Sequence, residues 1–176
     1  VSAGEHIAVL KAAEATGLPI TRVGLDADGR ITLDEIAAAL AEADGAGRTL
    51  LVAVHLVNNE TGVMQTLPQI EVLVGPSRHY LFVDAVQAFG KVPLEFASRA
   101  ADLVAVSSHK IGGPAGVAAL LMKNHAGEVR LIPGGGQESG RRGGTEAAAL
   151  IAAFGAAAAA FPARYAAAEP AALVAQ

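Results

Sequence analysis

The sequence predicts an α/β fold in which a mostly parallel sheet is flanked by helices. Two observations carry this. Apolar runs of strand length alternate with segments of helical periodicity, the order that builds a parallel sheet. The run 49–57, rich in Val and Leu, is nearly continuous rather than alternating, as in strands buried on both faces.

Each element follows from its residues. Residues 5–16 read as a helix through the spacing of Ile7, Leu10 and Ala13, with Gly17 placed to end it. A short strand is expected over 19–25, and Asp26-Ala27-Asp28-Gly29 is a turn. Thr32 and Glu35 match a capping box, so a second helix runs to about Asp44 and stops at Gly45-Ala46-Gly47. The strand 49–57 follows, then a short helix over Leu67–Val74. Buried strands are expected over 80–83, 103–106 and 117–122. A Gly-rich loop spans 133–144, and Thr145 opens an Ala-rich helix, since Ala is the best helix former.

Composition narrows the function. The chain has 176 residues, 52% of them apolar, and a net charge of −4. That describes a globular protein with a core, not a disordered one. Arg141-Arg142 is the nearest thing to a basic cluster, too little for a nucleic-acid surface. No membrane span is expected: the longest uncharged stretch, 147–162, is mostly Ala with Gly155 inside it. Cysteine is absent, which excludes a disulfide framework or a Cys-ligated metal within the chain and is compatible with the cytoplasm. The five histidines lack metal-ligand spacing. His55 reads as a core histidine, His79 and His125 as solvent-facing. The chain opens at Val1 and ends in an Ala-rich stretch, and is expected to be an internal fragment.

Three strand ends carry polar groups: Asn58-Asn59-Glu60-Thr61-Gly62, Asp84-Ala85-Val86-Gln87 and Ser107-Ser108-His109-Lys110. In open parallel sheets, ligands sit outside the carboxyl ends of the strands. A lysine after a buried strand, among Gly and apolar residues, has its charge disfavoured and its amine available for a Schiff base. Asp84 is placed to pair with the pyridine nitrogen of pyridoxal 5′-phosphate (PLP). Gln87 is placed to donate to its phenolic oxygen, and Ser107 and His109 to contact its phosphate. Each residue also has a plainer reading: Asp84 as a cap, Lys110 as a surface lysine, Asn58 and Asn59 as turn formers. Dinucleotide, P-loop and serine-hydrolase motifs are absent.

These runs, with Val63, Ala88-Phe89-Gly90-Lys91 and Ile111-Gly112-Gly113-Pro114 beside them, resemble the cofactor site of class V aminotransferases. Gly134-Gly135-Gly136-Gln137-Glu138, Arg142-Gly143-Gly144-Thr145-Glu146 and Glu5-His6 resemble the cysteine desulfurases in particular. The resemblance implies PLP on Lys110, which also shuttles the Cα proton of the substrate. It implies Asp84 at the pyridine nitrogen, Gln87 and Asn59 around the phenolic oxygen, and Ser107 and His109 on the phosphate. His6 would stack over the ring and assist proton transfer. Thr145 would reach the phosphate of the neighbouring subunit of a homodimer.

The implied reaction turns L-cysteine into L-alanine and passes sulfur to an enzyme cysteine, for an Fe–S scaffold or another sulfur acceptor. Residues 1–160 would be part of the PLP-binding large domain, and 161–176 the start of a linker helix toward a small C-terminal domain. Phe82, Ala115 and Gly143 depart from the usual His, Lys, and Ser or Ala. The alternatives are a selenocysteine lyase, another class V enzyme, or a degenerate module without catalysis.

Overall fold

A computed structural model describes residues 1–94, 96, 100–126 and 132–165, with side chains to residue 160. Among these residues, four strands form one sheet in the order β1 (Leu51–His55), β2 (Tyr80–Asp84), β3 (Leu103–Ser107), β4 (Ala118–Met122). The first three are parallel, with His55 opposite Asp84 and Asp84 opposite Ala105. The last is antiparallel to β3, with Ser107 opposite Ala118. The carboxyl ends of β1, β2 and β3 therefore share one edge of the sheet, and β2 lies in the middle.

Among the described residues, four α-helices accompany the sheet: α1 (Ile7–Ala15), α2 (Leu33–Gly45), α3 (Leu67–Val74) and α4 (Ala148–Tyr165). α2 and α3 present Ile36, Leu40, Ile70 and Val74 to a core shared with Val54, Leu81, Val83 and Val104, all buried. Removing each such side chain from water stabilises the fold by about 1.5–3 kcal/mol. Burial alternates along β2, where Leu81 and Val83 are closed off and Phe82 is half-buried. One face of that strand is thus covered more completely than the other. Residues 166–176 of the expected linker lie outside the described residues.

Several expectations are corrected. Residues 19–25 do not form a strand; only single bridges hold, Val23 to Ser2 and Leu25 to Ile31. The capping box is not made. Thr32 Oγ1 donates to Gly24 O at 3.1 Å, and Glu35 Oε2 accepts from Gly24 N at 2.8 Å, so both side chains fasten the preceding segment to α2. α4 begins three residues after Thr145, at Ala148.

His79 is buried, not solvent-facing. Its Nδ1 accepts from Leu50 N at 3.1 Å, and its Nε2 lies 3.3 Å from Asp44 Oδ1, which ties the end of α2 to the start of the sheet. His55 is in the core as expected, held between Glu5 Oε1 at 3.0 Å and Gln65 Nε2 at 3.1 Å. Since the Gln65 amide nitrogen only donates, His55 Nε2 accepts and its Nδ1–H points to Glu5.

Candidate active site

The turn after β1 is organised by Asn58. Its Oδ1 accepts from Glu60 N and Thr61 N, both at 2.9 Å, and its amide donates to Gly4 O at 3.1 Å. The plain reading of Asn58 as a turn former therefore holds, but the same residue also brings the N-terminal segment onto this strand end. A cleft lined by Gly4, His6, Leu10, Asn58, Asn59 and Glu60 results. His6 and Asn59, 53 residues apart in sequence, thus share one cavity. His6 caps α1, with its Nδ1 accepting from Ala8 N at 3.2 Å, and its ring is exposed.

Asp84 ends β2 half-buried. Its Oδ1 accepts from Val86 N at 2.9 Å, the local capping contact that an Asp here invites. Its other oxygen makes no hydrogen bond among the described residues. Beyond it, Phe89 N donates to Ala85 O and Val92 N to Ala88 O, so residues 85–92 make two successive turns with Gly90 at φ 78° between them. Lys91 Nζ donates to Gln87 Oε1 at 3.0 Å. Burial lowers the Lys91 pKa, and the nearby charge of Lys110 lowers it further.

After β3, Ser108–Ile111 forms a 3-10 turn closed by Gly112 at φ 80°. With three residues per turn, Ser108 and Ile111 face inward together and are buried, while His109 and Lys110 face out. Lys110 is therefore exposed, whereas its apolar neighbours in sequence suggest an enclosed amine. Ser107 Oγ and His109 Nδ1 lie 2.8 Å apart.

Ser108 Oγ is buried with no hydrogen-bond partner among the described residues. A Cβ on Gly113 would clash with that atom and come within 3.1 Å of Ala157 on α4, so the turn requires glycine here, where α4 packs against it. Phe154 of α4 also meets Phe89 edge-on, with ring centroids 6.4 Å apart. α4 thus braces both the β2 and β3 strand ends. Thr145 is exposed just ahead of it, and no hydrogen bond joins it to the other site residues among the described ones.

The structure therefore brings His6 to Asn59, and sets Asp84 and Gln87 between that pair and the Ser107–Lys110 turn. Sequence reasoning missed the contacts of Lys91 and the buried Ser108. The spacing of Gln87 and Lys91 was the available signal for the first.

A mostly parallel sheet with an amine, a carboxylate, an amide and a hydroxyl–imidazole pair at its strand ends is the α/β arrangement in which ligands sit outside the carboxyl ends of the strands. The aminotransferase class-V description matches residues 1–172, and the chain belongs to that family, whose members are PLP-dependent. It is 40% identical over 157 residues to the mitochondrial cysteine desulfurase of Candida maltosa, covering 86% of this chain and 31% of that one. It is 37% identical over 154 residues to cysteine desulfurase IscS of Clostridium botulinum, covering 86% of this chain and 38% of that one.

A solved NifS-like protein from Rickettsia africae ESF-5 superposes with a TM-score of 0.86 at 31% identity, covering 93% of this chain and 45% of that one. The chain thus spans between about a third and a half of the length of these relatives. The expected fold and family hold.

The donor set fits PLP. Asp84 has an oxygen to spare for the pyridine nitrogen, Gln87 has its NH2 to spare because Lys91 takes its carbonyl, and Ser107 with His109 offers donors for a phosphate.

Proposed function

We propose that the full protein is a PLP-dependent cysteine desulfurase and that this chain supplies its cofactor-holding face. The observation that carries the reading is the gathering of Asn59, Asp84 and Lys110 at the carboxyl ends of three parallel strands. The identity to named cysteine desulfurases favours that reaction over others of the family.

In this reading Lys110 Nζ holds the cofactor and then carries the proton taken from the substrate Cα. Asp84 keeps the pyridine nitrogen protonated, Gln87 and Asn59 bind around the phenolic oxygen, and Ser107 and His109 hold the phosphate. His6 lies over the ring and assists proton transfer. PLP, when bound, supplies an electron sink for the carbanion chemistry. A cysteine thiolate of the enzyme would attack the substrate sulfur and form an S–S bond as the C–S bond breaks; the bonding pair goes to the substrate Cβ, which takes up a proton, so that L-alanine leaves and the sulfur stays as an enzyme persulfide. This chain has no cysteine, so that thiolate comes from outside it. The proposed setting is a homodimer in the cytoplasm, with Thr145 reaching the partner's phosphate and an Fe–S scaffold or similar protein accepting the sulfur.

The test is to load the full protein with PLP and supply L-cysteine with a reductant. Alanine and sulfide should appear in equal amounts and be lost in Lys110→Ala. A PLP-loaded protein that forms no alanine contradicts the proposal.

A further inference from the structure

Gln87 has two arms, a carbonyl that accepts and an NH2 that donates. Lys91 Nζ can only donate, so at 3.0 Å it must face the Gln87 carbonyl. That contact fixes the amide: the NH2 is the arm left for a ligand, and it makes no hydrogen bond among the described residues. Without Lys91, the amide is free to turn over and offer its oxygen instead.

The contact is built into the chain. Gln87 lies in the first of two successive turns over 85–92 and Lys91 in the second, and Gly90, at φ 78°, redirects the backbone between them without a strained side chain. Lys91 is also half-buried, which keeps its side chain on this contact. Among the described residues, His6, Glu60, Asp84, His109 and Lys110 are the other titratable groups at the strand ends.

We infer that Lys91 is a positioning residue of the PLP site: it holds Gln87 with its NH2 toward the cofactor's phenolic oxygen. This rests on the proposed binding of PLP at Lys110. A donor held on the phenolate stabilises it and so favours the unprotonated Schiff base. A lysine with only a solubilising role would not do this.

The test is a pH titration of the Schiff-base absorbance in the PLP-loaded full protein, which does not depend on turnover. Lys91→Met should raise the midpoint by up to about one pH unit, the size expected when a hydrogen bond to the charged phenolate is lost. Lys91→Arg, which keeps the donor, should restore most of the difference. Lys91→Met should also shift the midpoint less in a Gln87→Ala background than in the parent, because the two residues act through one contact. Should Lys91→Met not fold, Lys91→Gln carries the same expectation. An unchanged midpoint, with the borohydride-reduced adduct still on Lys110, overturns the role of Lys91 and leaves the proposed function standing. Absence of any adduct on Lys110 in the parent overturns both.

Discussion

Asp84 serves two groups with one carboxylate. One oxygen caps the turn through Val86 N, and the other remains for a cofactor nitrogen. An asparagine keeps the capping oxygen but loses the charge, so Asp84→Asn separates the two tasks. The variant should fold and retain PLP, while alanine formation falls by roughly 10²–10⁴. Unchanged turnover, measured against protein-bound PLP, would remove Asp84 from the chemistry. The residues at the strand ends were legible because a polar group directly after an apolar run has few purposes. Their surroundings were not. Lys110 has apolar neighbours in sequence yet is exposed, since a 3-10 turn sends Ile111 inward and Lys110 outward. Glu5 and His55, which meet in the core, lie 50 residues apart in sequence, and no local pattern announces such a contact.

At the scale of elements, the turn that carries Lys110 depends on Gly113. An added methyl would meet Ser108 Oγ, which is fully buried and has little room to move aside. Gly113→Ala should destabilise the full protein by about 1–3 kcal/mol, as overpacking of a tight site does. It should also weaken PLP retention more than a methyl at an open position such as Gly45→Ala, where nothing lies within 4 Å. Denaturant unfolding and PLP release check both; equal behaviour of the two variants would contradict this view of the turn. α3 was readable to the residue, because its apolar spacing and Pro68 in the first turn agree. Residues 19–25 misled because a strand is made by its partners, and here only single bridges are available. The capping box failed for a related reason: Thr32 and Glu35 found a better use on Gly24 than on each other. The direction of β4 is not written in its own apolar run. It follows from the short connection after Ser107, which suits antiparallel neighbours better than a crossover.

At the scale of the whole molecule, β1 and β4 are the outer strands of the described sheet, and Leu51 and Leu121 on them are exposed. Residues 1–176 alone should therefore self-associate. They should also form no alanine from L-cysteine above the rate of free PLP, because only a thiolate attacks the substrate sulfur well and this chain has no cysteine. Alanine formation well above that rate would mean that some other group takes the sulfur. The central claim is that Lys110 holds PLP, and mass mapping of the full protein after PLP loading and borohydride reduction tests it most directly. The account predicts a single modified peptide, the one containing Lys110. An adduct on Lys91 or another lysine instead, or tightly bound PLP that borohydride fixes to none, would contradict it.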